Sequence, residues 1–218
     1  MNRIGAVALF ALVVLCTSTP APASDSSSQY QIIFEHGDAP ADDPATDEHE
    51  DLYECQVTVQ RQKADGTFDV VASFRGSIIP DDPSTMGTIN DGQYDLNTGF
   101  HHRKDASGTL LTPTAADLVV KVGTKTTFLV PCLVVNGDQD VPCTSGDPNK
   151  TKMSPIHVHN GFKTKRYSDG CQTIMLSQWS DFMQTFLTDH PDLGDWYSNG
   201  TYFGSKIGTL VVRPKPSN

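Results

Sequence analysis

The sequence is poor in basic residues and, beyond its start, in long apolar runs. Its 218 residues contain 16 lysines and arginines against 26 aspartates and glutamates, which gives a formal net charge of −10. An acidic chain without a basic cluster argues against nucleic acid as a partner. No stretch after position 16 approaches the roughly 20 apolar residues of a spanning helix, so we expect no integral membrane segment in the mature chain.

The N-terminus carries the longest apolar run, IGAVALFALVVLC at positions 4–16, directly after Arg3. It has the length of a signal-peptide core and is too short for a membrane anchor. The small residues Ala21-Pro22-Ala23 follow as a cleavage signal. We therefore expect a signal peptide at 1–23 and a protein that is secreted or located in the periplasm or cell envelope.

Four cysteines remain after this segment: Cys55, Cys132, Cys143 and Cys171. In an oxidising compartment they allow two disulfides in three connectivities. Asn136-Gly137 is a tight-turn signal between Cys132 and Cys143, which favours a bridge across a hairpin. A second bridge between Cys55 and Cys171 is the alternative to two free thiols.

The acidic residues concentrate in EHGDAPADDPATDEHED at 35–51. Runs of this composition are typical of solvated, poorly ordered segments. The sequence therefore predicts a partly disordered segment at 24–52, followed by one domain at 53–218.

Alternating apolar residues and turn signals predict a mainly β fold in that domain. Residues 53–79 form two such runs joined near Asp65-Gly66, and a further hairpin is expected around Asp91-Gly92. The run LSQWSDFMQTFLTDH instead has helical spacing, with Ser177 placed as its cap. Its apolar face, predicted to pack on the sheet, comprises Trp179, Phe182, Met183, Phe186 and Leu187.

The segment between these regions carries the residues with chemical potential. His157 and His159 are two positions apart, so in a strand they project from the same face. Cys171 follows after a loop, and an adjacent imidazole lowers a thiol pKa and supplies a proton to a leaving group. Gly170 permits a sharp turn in which the N–H groups of Gly170 and Cys171 point at a developing oxyanion. This pattern is what acyl transfer by a cysteine nucleophile requires.

These residues resemble the catalytic region of the L,D-transpeptidase-like family, most closely its phage and bacterial murein-hydrolase branch. The matching segments are IHVHNG at 156–161, SDGCQTI at 168–174 and QWSDF at 178–182. The likeness extends over about residues 70–187 and includes a Gly-x-Tyr hairpin that contains Tyr94. Two positions differ from the transpeptidases proper, which have His and Arg where this chain has Asp169 and Thr173.

The resemblance implies a mainly β (α+β) sandwich or barrel with one packed helix after the cysteine. It also implies a Cys-His acyl-enzyme that acts on the peptide stems of bacterial peptidoglycan without a cofactor, with hydrolysis favoured and transpeptidation as the alternative. Cys171 is then the nucleophile, His159 the base and Gly170 part of the oxyanion site. The substrate-binding residues implied are His157, Gly161, Ser168, Asp169, Gln172, Tyr94, His101 and His102.

Two alternatives from other classes remain open on the sequence. Zinc binding would use His157 and His159 together with Cys171, His101 or His102, because an H-x-H pair on a strand is a reasonable start for a zinc site. The other alternative is a cell-wall-binding protein that keeps the fold and has lost activity.

Overall fold

The computed structural model describes residues 29–37, 48–102, 118–122, 125–137, 139–166, 168–187, 203–214 and 216. The expected signal peptide at 1–23 and most of the acidic run lie outside these residues. Within them the chain is mainly β with one short α-helix, as the sequence predicts. The strands are β1 Tyr30–His36, β2 Cys55–Gln62, β3 Phe68–Ser77, β4 Gly87–Ile89, β5 Gly92–His102, β6 Leu118–Val122, β7 Lys125–Val135, β8 Val141–Ser145, β9 Lys152–Met153, β10 Ile156–Asn160, β11 Gln172–Ile174 and β12 Phe203–Pro214.

Nine of these strands form one sheet, in the order β10-β11-β3-β2-β1-β12-β5-β7-β6. Strand β10 also pairs with β7, through Ile156 opposite Val135, so eight strands from β10 round to β7 close into a barrel. Two neighbouring pairs in this barrel are parallel, β1 with β12 and β10 with β11, and the others are antiparallel. Barrel closure leaves few unpaired strand edges, which otherwise attract other chains.

Strand β1 corrects the expected domain boundary at residue 53. Tyr30–His36 lies between β2 and β12 and pairs with both along its whole length. The segment 24–52 therefore contributes a central barrel strand, because Ile32 and Phe34 complete the apolar core at 0% exposure. The acidic composition of the residues after β1 therefore does not predict the structure of β1 itself.

The hairpin signals have mixed outcomes. Strands β2 and β3 pair across the turn at Asp65-Gly66, which confirms that prediction. The turn at Asp91-Gly92 instead connects strands of different sheets, because β4 pairs with β8 and β5 pairs with β7 and β12. Asn136-Gly137 likewise passes from the barrel into a three-stranded sheet of order β4-β8-β9. The hairpin expected between Cys132 and Cys143 does not form, and both cysteines are free thiols, as are Cys55 and Cys171.

The predicted helix forms as α1, Trp179–Leu187, after a 3-10 turn at Leu176–Gln178. Ser177 lies inside this turn and is not the N-cap; its backbone N–H donates to the Glu48 carboxylate at 2.9 Å. Trp179, Phe182, Met183 and Phe186 of the apolar face are buried as expected, and the Leu187 side chain lies outside the described residues. No helix among the described residues has the length and apolarity needed to cross a membrane.

Candidate active site

The parallel pair of β10 and β11 positions the two histidines and the cysteine. Val158 is opposite Gln172, and His159 is opposite Thr173. One step back along both strands, His157 comes beside Cys171, which immediately precedes β11. Because side chains alternate between the faces of a strand, the thiol and both imidazoles lie on the same face of the sheet.

The Cys171 thiol contacts His157, with its Sγ 4.0 Å from the ring Nδ1. The side chain is 9% exposed, and this burial raises the thiol pKa to about 11. A hydrogen bond from the His157 backbone acts in the opposite direction, and the negative charge of Asp169 adds to the rise. The resting thiol is therefore protonated at neutral pH.

The His159 ring is held in one orientation by its own strand. Its Nδ1 is 2.8 Å from the Asn160 carbonyl oxygen, which can only accept, so Nδ1 carries the proton and Nε2 carries the lone pair. The residue is 5% exposed, and burial lowers its pKa to about 4 against the smaller opposing effect of that hydrogen bond. His159 is therefore a neutral imidazole near pH 7 with an unprotonated Nε2.

The turn before the cysteine is held by Ser168. Its hydroxyl donates to the Cys171 carbonyl at 2.6 Å and accepts from the Gly170 N–H at 3.1 Å. Ser168 is 1% exposed, so it shapes the turn from within. The sequence-based expectation has the Gly170 N–H pointing at an oxyanion, whereas in this structure that N–H is occupied by Ser168.

Glycine is required at both motif positions where the sequence has it. Gly170 has a φ of +128°, and a Cβ there would lie 2.8 Å from Met153 Sδ and 2.9 Å from the Gly87 carbonyl oxygen. A Cβ on Gly161 would overlap the Tyr53 hydroxyl. Both glycines therefore permit close approach of neighbouring groups around the Cys171 turn.

The other residues implied by the resemblance occupy different environments. Asp169 is exposed beside the thiol, whereas Gln172 is fully buried and its Nε2 donates to the Gly170 carbonyl at 3.4 Å. Tyr94 is buried and donates to the Asn90 carbonyl at 2.7 Å; burial and the nearby charge of Asp91 raise its pKa.

His101 and His102 end strand β5, where they pair with Val130 and Leu129. His157 pairs with Val134 of the same strand β7, four residues from Val130. His101 and His157 therefore pair with positions about 13 Å apart along β7. The side chains of both histidines lie outside the described residues.

Two residues to which the sequence assigns no role in the site lie near it. Thr173 is opposite His159, is fully buried, and its hydroxyl has no hydrogen-bond partner. Cys132 is fully buried on β7, and its pKa is raised mainly by burial and further by the charge of Cys171. Only the pairing of β7 with β10 brings Cys132 to this place, so no local signal predicts it.

The described part of the chain holds no group of three or more His, Cys, Asp and Glu side chains arranged to bind a metal ion. Comparison with protein-family models, curated proteins and solved structures finds no match to this chain. The resemblance to the L,D-transpeptidase-like family therefore rests on the motif residues, and the chemistry of the site has to be inferred from their geometry.

Proposed function

We propose that this protein is a cysteine-dependent peptidase or acyltransferase that acts on the stem peptides of bacterial peptidoglycan, with hydrolysis as the favoured reaction. The observation that carries the proposal is a thiol, Cys171, at the end of a glycine turn, on the same face as His157 and His159 and in contact with the first. Expected export by the segment 1–23 agrees with a substrate in the cell envelope.

The ionisation of the pair determines how the first step must run. Cys171 has a raised pKa and His159 a lowered one, so an ion pair of thiolate and imidazolium is unfavourable before substrate binds. We therefore propose that the thiol proton moves to Nε2 of His159 while Sγ forms its bond to the carbonyl carbon. The carbonyl electron pair moves to oxygen, giving a tetrahedral oxyanion.

Collapse of this intermediate breaks the carbon–nitrogen bond. The imidazolium returns its proton to the leaving amine, and the acyl group stays on Cys171 as a thioester. Water deprotonated by the same imidazole then attacks the thioester carbonyl. The carbon–sulfur bond breaks, the acid leaves, and the imidazolium returns its proton to the Cys171 sulfur. An amine in place of water would produce a transpeptidation product.

Two histidines are candidates for the base. His159 is supported by the motif and by its hydrogen bond to Asn160, because a base held by a third group is the usual arrangement around an activated nucleophile. His157 is supported by its direct contact with the thiol. We assign the base to His159 and propose that His157 lies beside the thiol as a substrate-binding group.

Defined muropeptides and mass spectrometry test this function. The wild-type protein should release products heavier by one water in total, and Cys171→Ala should release none. Cys143→Ala is a matched control, because it removes a free thiol from the three-stranded sheet and should keep activity. Undiminished cleavage by folded Cys171→Ala would refute the nucleophile, and a folded wild-type protein that binds but never cleaves would support the binding-protein alternative.

Substitution of each histidine distinguishes the two bases. His159→Ala should lower kcat/KM by about 10²-fold or more, the scale of a lost general base. His157→Ala should cost clearly less. The reverse order would move the base to His157, while equal losses restored by added zinc would replace the nucleophile mechanism with a metal site.

A further inference from the structure

A cavity of about 630 Å³ opens beside the C-terminal ends of β1 and β3. This size is within the range of small-molecule sites. The cavity belongs to no part of the motif, and its walls come from the barrel, from the connection after β3 and from the three-stranded sheet. The lining residues are His36, Gly37, Glu54, Ile78, Ile79, Pro83, Thr88, Ile89, Asn90, Asp91 and Thr144.

The lining combines apolar side chains with negative charge. Ile78, Ile79 and Ile89 contribute aliphatic surface, while Glu54 and Asp91 contribute carboxylates from different elements. Lysine and arginine are absent from these lining residues. A ligand that matches such a surface has an aliphatic body and a positive charge.

The charge of Glu54 is only loosely compensated. Its Oε1 accepts the Ile78 N–H at 3.0 Å and the Cys55 S–H at 3.5 Å, and the side chain is 23% exposed. Arg166 Nε is 3.9 Å from Oε2, but it donates its hydrogen bond to the Leu52 carbonyl at 2.7 Å. The buried Oε2 accepts no hydrogen bond. A further cation near this carboxylate would therefore be stabilised.

Asp91 provides the second carboxylate at the rim. It is 52% exposed, and its Oδ1 is 2.8 Å from Nε2 of His36, which is itself 34% exposed. A carboxylate has several lone-pair sites, so this contact leaves acceptor capacity for a ligand. Thr144 donates to Asn90 Oδ1 at 2.7 Å and orders the wall between the two sheets.

We propose that this cavity is a binding site for small aliphatic primary ammonium compounds. The alkyl chain lies against the three isoleucines, and the ammonium group donates to Glu54 and Asp91. An ammonium group has three donors and no acceptor, which suits a cavity lined by two carboxylates from different elements. The inference is independent of the reaction proposed for Cys171.

Calorimetric titration of full-length Cys171→Ala protein with n-hexylammonium and with 1-hexanol tests the site. The two probes share an alkyl chain and differ in charge, and the variant removes any reaction at the thiol. Hexylammonium should bind at least about 10-fold more tightly than hexanol, the scale of one or two charge-assisted hydrogen bonds. Equal affinities would overturn the proposal.

Isosteric variants locate the charge that is recognised. Glu54→Gln and Asp91→Asn should each weaken hexylammonium binding several-fold or more and leave hexanol binding unchanged. Asp140→Asn is the control, since it removes the same charge from an exposed position outside the cavity. Because Asp91 is half exposed, Asp91→Asn should fold and so tests the site even if Glu54→Gln does not fold. Hexylammonium affinity equal in the Asp91 and Asp140 variants would refute the assigned site.

Discussion

The two ends of strand β1 lie in opposite environments. Its first residue, Tyr30, contacts the Phe186 ring of helix α1, whereas its last residue, His36, lines the cavity. Both belong to one strand of seven residues. Alternation along a strand decides which side chains face the core. The elements that pack at each end of the strand decide whether that end is filled by side chains or contains a cavity.

The helix end is closed by apolar packing. The Phe182 ring meets Phe74 and Phe186 edge to face, with centroids 5.3 and 5.1 Å away, and stacks with Trp179 at 5.4 Å. The hydroxyl of Tyr30 donates to the Thr185 carbonyl, so its polar atom has a partner. Stability here comes from buried aromatic surface.

The cavity end combines the aliphatic side chains of three isoleucines with charged groups at a partly exposed rim. His36 and Asp91 pair at the rim, and the loosely paired Glu54 lies next to Cys55 at the start of β2. Surface ion pairs of this kind contribute little stability. The comparison shows that aromatic packing closes one end of β1, whereas a cavity with a partly exposed rim lies at the other end.

Removal of the central ring at the helix end should have the largest effect on stability. Phe182→Ala should lower the free energy of unfolding by about 3–5 kcal/mol, because it deletes a fully buried ring and leaves a cavity. Urea denaturation measures the change. Ser180→Ala, on the exposed side of the same helix, should stay within about 0.5 kcal/mol. A loss below 1 kcal/mol for Phe182→Ala would break the proposed difference between the ends.

Acid should destabilise the fold through the active-site strand. Burial lowers the pKa of His159 from 6.5 to about 4, so between these values the unfolded chain binds a proton that the folded chain does not. Stability therefore rises with pH across this window, and about 3 kcal/mol is lost as the pH falls from 6.5 through 4.

Denaturation curves of wild type and His159→Gln at several pH values isolate this contribution. The variant should lose most of the pH dependence between 4 and 6.5. His49→Gln, which changes an exposed histidine, should keep it. Identical pH profiles for wild type and His159→Gln would contradict the buried, neutral imidazole.

The resting thiol should react slowly with alkylating reagents. Because burial raises the pKa of Cys171 to about 11, its thiolate population at pH 7 is about 10²-fold below that of an ordinary cysteine near 8.5. Iodoacetamide labelling of this position, followed by peptide mapping, should accelerate towards pH 11. Protein unfolded in guanidinium is the control, and a native labelling midpoint near pH 8.5 would rule out the protonated resting state.

A methyl group at the turn should produce the smallest of these effects on stability. Gly170→Ala combines an unfavourable φ with contacts to Met153 and Gly87, for a cost of about 1–3 kcal/mol. Gly137→Ala has a φ of +62° but open space around the added carbon, so it should cost about 1 kcal/mol. Reduced muropeptide cleavage in Gly170→Ala but not in Gly137→Ala would show that the turn positions Cys171. Equal stability losses in the two variants would show that space around Gly170 is unimportant.

Local pattern was sufficient for several elements of this protein. The β2–β3 hairpin follows from alternation and Asp65-Gly66, and helix α1 follows from the spacing of Trp179, Phe182 and Phe186. These signals depend on neighbours within a few residues along the chain. The H-x-H spacing also predicts that both imidazoles lie on one face, because side chains two positions apart in a strand point the same way, and the segment does form strand β10.

Tertiary structure alone decided how distant segments meet. Pairing of β1 with β12 joins residues more than 170 positions apart, and nothing in either segment specifies that partner. Strand β7 pairs with β10 and not with β8, which separates Cys132 from Cys143 and brings Cys132 near Cys171. The carboxylates of Glu54 and Asp91 line one cavity for the same reason: register between strands depends on the packing of the whole barrel core, whereas periodicity reports only the faces of a single strand.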